Sequence, residues 1–359
     1  MGRRGGRALT VDFVLNPHPE FTKWVVNAGL ITEPFVLIDV GVQGGENIRW
    51  RPLADYLTVY GFDAIAEVID RLTQENAGCS NRNYYCFAVG NSDGETPFYY
   101  NPANPTASSV YQQGQNRFGV QTTEQVRMIP MRRLDSLFAD GLIPKADFLK
   151  VDVEGYEKDV LQGARALLDA GVLGMQIESN FSVSPLYPRS HFGTIAGLAL
   201  DSHLLVFDIA FDRIPRASFQ SALIRKGLKR NADHDEIGRP ATVDVLFCRD
   251  LIDEVDHQDN YVTACRPTTI DQIIKMMIIY ELHGLNDVAL DTAERFAERL
   301  GARLDVDRAI GLLANPNIRP NEYKRLVQAY ERSTSWRMTA PLRWVKLLLI
   351  GPRRDRGRP

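Results

Sequence analysis

The chain is poor in cysteine: 359 residues hold four, Cys79, Cys86, Cys248 and Cys265. None forms a C-x-x-C pair and none has histidine-rich surroundings, so zinc-binding spacing is absent and a disulfide framework is excluded. They read as reduced, structural thiols of a cytosolic protein. Also lacking is any uninterrupted apolar run of about 18 residues, which removes a transmembrane helix from consideration. Arg3, Arg4 and Arg7 stand near the start, yet the apolar stretch after them, 11–15, is short and carries Asp12. A secretory signal is not expected. Nor is there a strong net charge, the formal value being −3. Nucleic acid is therefore not expected as a partner. A cytoplasmic location is the expectation.

What the chain does have is ordinary globular material, 44% apolar and 24% charged, in a length that suits one large domain and a smaller one. The run 35–40 is apolar throughout except for Asp39 and reads as a strand buried on both faces. A glycine-bearing turn, 41–45, leads to a helix over 46–57 that contains Pro52. A second strand at 59–63, an amphipathic helix at 64–75 and a third strand at 83–89 follow. The stretch 90–126 is polar and irregular, with a hairpin at 96–100 and a long loop. Strands at 148–153 and 172–178 then enclose a helix at 157–170. A helix at 192–202, a strand at 204–209 and a strand at 242–248 close the series, the last open to an antiparallel arrangement; 223–235 is a charged excursion. This alternation predicts an α/β sheet with helices on both faces. Past 250 the strand signals stop, and 270–283, 286–300, 305–314 and 321–332 read as helices, with Thr269, Asn286 and Asp305 as caps. The expected division is an N-terminal extension 1–34, an α/β domain 35–250, an all-helical appendage 251–335 and a basic, apolar tail 336–359.

A doubly wound sheet binds its ligand beyond the carboxyl ends of its strands. At those ends this chain concentrates acids and glycines: Asp39 with Gly41–Gly45, then Asp63, Ala88-Val89-Gly90, Asp152-Val153-Glu154-Gly155 and Glu178-Ser179-Asn180. A glycine turn admits a nucleoside-like ligand close to the backbone, and an acid ending the second strand can accept both hydroxyls of a ribose. The dinucleotide fingerprint G-x-G-x-x-G is not met, because the order is Gly41-x-x-Gly44-Gly45. Asp39, two positions before the first glycine, is unwelcome to a pyrophosphate but suits the ammonium and sulfonium of S-adenosylmethionine. A plain tight turn for the glycines and a helix N-cap for Asp63 remain open.

Val36-Leu37-Ile38-Asp39-Val40-Gly41-Val42-Gln43-Gly44-Gly45-Glu46-Asn47 resembles the first motif of FkbM-type methyltransferases. Leu149-Lys150-Val151-Asp152-Val153-Glu154-Gly155-Tyr156-Glu157 is similar to that family's K-I-D-V-E-G-x-E segment. Ala88-Val89-Gly90, Asp93-Gly94, Ser108-Ser109, Leu134-Asp135-Ser136-Leu137 and Ile177-Glu178 agree in order, so the likeness spans 35–210. Two departures are Val42-Gln43 in place of Ala-Asn, and Phe62-Asp63-Ala64 in place of Phe-Glu-Pro. The resemblance implies a Rossmann-like methyltransferase sheet, S-adenosylmethionine as cofactor, and O-methylation of sugars or other secondary metabolites. It implies that Asp39, Gly41, Gln43, Gly44 and Asn47 hold the methionine end, that Asp63 holds the ribose, and that Ala88 and Val89 border the adenine. It does not extend to the helical appendage.

Methyl transfer to a hydroxyl needs a positioned acceptor and a group to take its proton. Asp152 or His191 is the candidate base, with Glu154 and Glu178 orienting acceptor hydroxyls. Competing structural readings stand beside these: Glu154 pairing with Lys150 or capping a helix, and His191 merely starting one. The three acids also suit Mg²⁺, the less favoured reading, and no metal is assigned. Tyr99, Tyr100 and Tyr111 either stack on a sugar ring or pack around the hairpin. In the tail, Arg337, Arg343, Lys346, Arg353, Arg354, Arg356 and Arg358 stand in and around the stretch 342–350, which holds Trp344 and an apolar run. This pattern suits peripheral docking on the anionic inner face of a membrane, or a last helix packed on the appendage. The leading expectation is O-methylation of a carbohydrate or related small-molecule hydroxyl. N-methylation of an amino sugar and a non-catalytic scaffold are the alternatives, and a homo-oligomer is left open.

Overall fold

The computed structural model describes residues 16–112, 123–181, 190–214, 238–256 and 268–314. Its centre is β1 (Phe35–Val40), whose side chains are buried on both faces almost throughout, as its apolar composition requires. Around it lie β2 (Leu57–Asp63), β3 (Arg82–Cys86), β7 (Phe148–Val151), β8 (Gly174–Asn180), β9 (Leu205–Ile214) and β10 (Arg239–Cys248), in the order β3-β2-β1-β7-β8-β10-β9. The pairs from β3 to β8 are parallel, whereas β10 runs antiparallel to both β8 and β9. Strand order reverses between β1 and β7, which opens a crevice at their carboxyl ends.

A second, three-stranded sheet has the order β4-β6-β5, with β4 (Ala88–Val89), β5 (Gly94–Tyr100) and β6 (Gln125–Arg132). Here the sequence expectations need correction. The strand expected over 83–89 is two strands in two sheets, broken at Phe87. The hairpin expected at 96–100 is not closed within those residues: β5 pairs antiparallel with β6, from Gly94 opposite Met131 to Tyr100 opposite Gln125, and locally Tyr99 forms an antiparallel bridge with Ser109. β6 does not stand out in the sequence because Val126 and Met128 face solvent and Pro130 lies within it.

Two expected helices also differ. The helix over 46–57 is a 3₁₀ helix, Ile48–Tyr56, with Pro52 inside, where the missing amide proton and the ring disfavour an α-helix. The helix over 157–170 is two, α4 (Glu157–Gln162) and α5 (Arg165–Asp169). The break at Gly163 is a close approach, since a Cβ there would lie 2.0 Å from the Gly90 carbonyl oxygen.

One face of the large sheet is covered by α3 (Leu134–Ala139), α4, α5 and α6 (Phe192–Asp201), whose Leu134, Leu161, Leu168 and Ile195 pack against Ile38, Val151 and Ile177. α2 (Ala66–Glu75) buries Val68, Ile69 and Leu72 beside the glycine turn and the small sheet. α1 (Glu20–Asn27) and the helices after β10 supply the other cover. These are α7 (Leu251–Asp256), α8 (Ile270–Leu282), α9 (Asn286–Arg295), α10 (Ala297–Leu300) and α11 (Val306–Leu313). α8 starts at a capping box formed by Thr269 and Gln272. Its Ile273, Ile274, Met277 and Ile278 share a core with Phe35, Leu37, Phe148 and Leu246.

The described residues of the part expected to be helical after 250 do form helices, and the first long one is a layer of the sheet rather than a body apart. Lys275 is paired with Asp147 at 2.8 Å and donates to the Pro34 carbonyl. The Glu281 carboxylate accepts from the Phe21 and Thr22 amides and from the Thr22 hydroxyl, capping the first turn of α1. No described helix is long and apolar enough to cross a membrane. The expected helix over 321–332, the tail 336–359 and the excursion 223–235 lie outside the described residues.

Candidate active site

β1 delivers Asp39 to the switch point, in register with Gly61 of β2 and Lys150 of β7. The chain then turns through Gly41, at φ +85°. A Cβ at Gly41 would stand 1.8 Å from the Asp152 carbonyl oxygen, so the turn after β1 and the end of β7 meet backbone to backbone. The Gly41 and Val42 amides donate to the Phe62 carbonyl at 2.8 and 3.1 Å, bringing the end of β2 and Asp63 to the same rim. Gly45, at φ +77°, closes the turn with its amide on the Val42 carbonyl. Gly44 is different: it is exposed, and a Cβ there would meet nothing within 4 Å. The fold itself does not require glycine at that position.

Asp39 is buried, at 3% exposure. Burial pushes its carboxyl up to about 6, against the pull of Lys150. The Lys150 ammonium lies 3.4 Å from Asp39 Oδ1 and 3.4 Å from Asp152 Oδ2, and donates to the Gly41 carbonyl at 3.1 Å. Burial works against that ammonium, but Asp39 and Asp152 outweigh it and hold the group above its ordinary range. The contact with Asp39 is an ion pair longer than a charge-assisted hydrogen bond of about 2.7–2.9 Å. Asp39 Oδ1 has no hydrogen-bond partner among the described residues. A buried carboxylate oxygen in this position keeps hydrogen-bond accepting capacity beyond its ion pair.

Asp63 is half-buried, and its carboxyl is likewise pushed up to about 6 by burial. Its Oδ1 accepts from the Ile65 amide at 2.9 Å, so it fixes the entry to α2. In the turn, the Gln43 carbonyl accepts from Arg71, and Asn47 Oδ1 accepts from the Arg49 amide. Ala88 and Val89 lie in β4 with buried side chains, Ala88 in the cluster that contains Val42, Ile65 and Leu72.

Across Lys150 lies an acidic group. One carboxylate oxygen each of Asp152, Glu154 and Glu178 fall within 4.8 Å of one another. Burial, then Asp152 and Glu154, raise the Glu178 carboxyl well above the ordinary glutamate range, so it keeps its proton to higher pH. Glu154 stands at φ +56°, a left-handed conformation unusual for a residue with a Cβ, and Gly155 follows at φ +105°. Beneath them Glu157, 1% exposed, accepts with Oε1 from the Val153 and Gly155 amides. Burial pushes its carboxyl up to about 7. Such a group of oxygens can take a proton from a hydroxyl, hold an ammonium, or hold a hard cation.

His191 is placed differently from the three acids. It is the N-cap of α6, its Nδ1 accepting from the Gly193 amide at 3.1 Å. Tyr100 lies under the Arg127 guanidinium at 3.8 Å, and the Tyr111 ring meets Tyr156 edge-on at 5.1 Å. In the sequence Lys150 enters only as a pairing partner for Glu154 and Glu157 is not singled out, whereas the structure sets the Lys150 ammonium against Asp39 and Asp152. Lys150 was legible, because residues two apart on a strand share a face and Asp152 was already a candidate. Glu157 was not, because only the folded turn shows that it holds its own upstream amides.

Residues 39–188 match the model of the methyltransferase FkbM domain. Among solved structures, the chain is similar to the methyltransferase FkbM from Methylobacillus flagellatus KT at 13% identity, over 63% of this chain and 47% of that one, with a TM-score of 0.34. It is also similar to the 1,6-didemethyltoxoflavin-N1-methyltransferase of Burkholderia thailandensis, solved with S-adenosylhomocysteine. There the identity is 14%, the coverage 65% and 79%, and the TM-score 0.28. Aeropyrum pernix fibrillarin, solved with natively bound S-adenosyl-L-methionine, gives 12%, 61% and 67%, and 0.31. The chain thus spans about half the length of the Methylobacillus protein. No curated protein matches it.

Proposed function

We propose that this FkbM methyltransferase domain carries a methyl group from S-adenosylmethionine to a hydroxyl of a carbohydrate or related small molecule. The observation that carries the reading is the buried Asp39 carboxylate after β1, whose Oδ1 has the Lys150 ion pair but no hydrogen bond, with Lys150 also meeting Asp152 of the Asp152, Glu154 and Glu178 group. In this reading Asp39 accepts from the ammonium of the methionine end. The turn containing Gly41, Gln43 and Gly44, with Asn47 behind it, lines that end. Asp63 receives the ribose hydroxyls, and the β4 backbone at Ala88 and Val89 borders the adenine.

S-adenosylmethionine, when bound, supplies an electrophilic methyl carbon on a sulfonium. The chain's own residues then have two tasks. The first is to hold the acceptor oxygen in line, which supplies most of the acceleration available to such a displacement. Glu154 and Glu178 bind neighbouring hydroxyls, Glu178 the readier donor because burial and its acidic neighbours make it keep its proton to higher pH. The second is to accept the hydroxyl proton. Asp152 takes it, beside Lys150, which neutralises part of the negative charge of the trio. His191, tied to the Gly193 amide by Nδ1, is the reserve candidate.

A specific observation favours a second reading. Three carboxylates within 4.8 Å attract an ammonium as well as a polyol, which supports N-methylation of an amino sugar. The test is transfer of label from methyl-labelled S-adenosylmethionine to neutral sugars, amino sugars and sugar phosphates. Label in neutral hydroxyl acceptors supports the first reading, and label only in free amines supports the second. Absence of both transfer and cofactor binding in folded protein leaves the non-catalytic scaffold.

A further inference from the structure

We propose that Ser109 is a positioning residue that holds Glu154, and through it the three acceptor-side carboxylates, in working geometry. Its kinetic consequence rests on the methyltransferase reading, and its structural consequence rests on geometry alone. Glu154 occupies the left-handed region at φ +56°, where a residue with a Cβ stays only if its surroundings hold it. From below, Glu157 holds the amides on either side, those of Val153 and Gly155. From above, the Ser109 hydroxyl donates to the Glu154 carbonyl at 2.8 Å.

Ser109 is itself fixed. It is 1% exposed, its carbonyl accepts from the Tyr99 amide of β5 at 2.8 Å, and its amide donates back to the Tyr99 carbonyl at 3.3 Å. The same hydroxyl oxygen accepts from the Tyr111 amide at 3.1 Å. Tyr111 continues the attachment downstream, its phenol donating to Asp159 Oδ2 at 3.0 Å. The other oxygen of Asp159 accepts from Asn91 at 2.7 Å. The segment thus joins the outermost strand of the small sheet to the acidic turn of the large one, across residues 154–159. Val110 and Tyr111 pack on the cluster that includes Val42 of the glycine turn, so what stands apart from the Asp39 turn is the Ser109 hydroxyl, whose hydrogen bonds among the described residues reach Glu154 and Tyr111. Its removal should therefore separate acceptor-side turnover from cofactor binding.

The experiment compares the full chain with Ser109→Ala and Ser109→Thr. In hydrogen exchange, the amides of 153–157 should exchange about tenfold faster in the alanine variant, with β1 and β7 unchanged, and threonine should restore protection. With labelled S-adenosylmethionine and the best acceptor of the panel above, kcat should fall about tenfold or more while the cofactor KM stays within about twofold. Wild-type exchange at 153–157 together with wild-type kcat in Ser109→Ala overturns the proposal. So does a uniform loss of protection throughout the sheet. If threonine does not fold, the alanine result decides. If the wild-type protein transfers no methyl group, the enzymatic reading fails, and exchange alone judges the role of Ser109.

Discussion

At the scale of single residues, Asp39 and Gly44 carry the sharpest expectations. The Asp39 carboxyl, at about 6, lies above its value in an unfolded chain, so the folded state binds the proton more tightly. That contribution to stability is complete below about pH 4 and is lost as pH rises through about 6. Asp39→Asn removes a charge that is costly to bury. Its melting temperature relative to wild type should therefore rise between about pH 4 and 6 and level off above that, readable by thermal denaturation without cofactor. Cofactor affinity should run the other way. An ammonium needs the ionised carboxylate, so wild-type affinity should climb through about pH 6 and flatten above it, a dependence missing from Asp39→Asn. The two alanine substitutions in the turn should differ in kind. Gly41→Ala drives a Cβ to 1.8 Å from the Asp152 carbonyl at a positive φ, and should lower stability by about 2–4 kcal/mol in denaturant titration. Gly44→Ala meets nothing within 4 Å and should leave stability within about 0.5 kcal/mol of wild type while weakening cofactor binding about tenfold or more. Much of this site was legible in the chain, because acids and glycines at strand ends announce a rim. The distinction between Gly41 and Gly44 was not, since it depends on what stands opposite each.

Secondary-structure elements show why some of the fold escaped reading. β1, β2, β7 and β8 have apolar patterns that match their burial, and period alone places them. The break between α4 and α5 is invisible to period, because Val160, Leu161, Ala164, Leu167 and Leu168 continue one apolar face across it. What divides the helices is Gly163 against the Gly90 carbonyl, together with the Asp135 amide donating to the Gly163 carbonyl at 2.8 Å. Gly163→Ala should accordingly cost about 2–4 kcal/mol by chemical denaturation, far above the usual effect of a glycine-to-alanine change in a helix, which is favourable by about 1 kcal/mol. β4 and β6 escaped for another reason. A two-residue strand has no period, and a strand with one exposed apolar face does not look half-buried.

For the molecule as a whole, the helices after β10 decide whether the sheet can stand. α8 is buried from Ile273 to Leu282, covers Phe35, Leu37 and Phe148, and carries the glutamate that caps α1. Helical period alone gave these residues as helices but not their location, because an apolar helix fits a separate bundle as well as a sheet face. A chain truncated after residue 256 should expose the core of the sheet and fail to give a cooperative melt, whereas a separable appendage would leave the melt intact. Ile278→Ala, at a site with no solvent exposure, should cost about 2–5 kcal/mol.

The central claim is that the turn after β1 receives a sulfonium nucleoside through Asp39. Its most direct test is calorimetric titration of S-adenosylmethionine into the wild-type chain, Asp39→Asn and Glu178→Gln at neutral pH. The account predicts saturable binding to wild type and to Glu178→Gln, and affinity about 10–100-fold weaker in Asp39→Asn, the worth of a hydrogen bond to a charged group. Equal affinity in Asp39→Asn and wild type, or no binding to a folded wild-type chain, would contradict it.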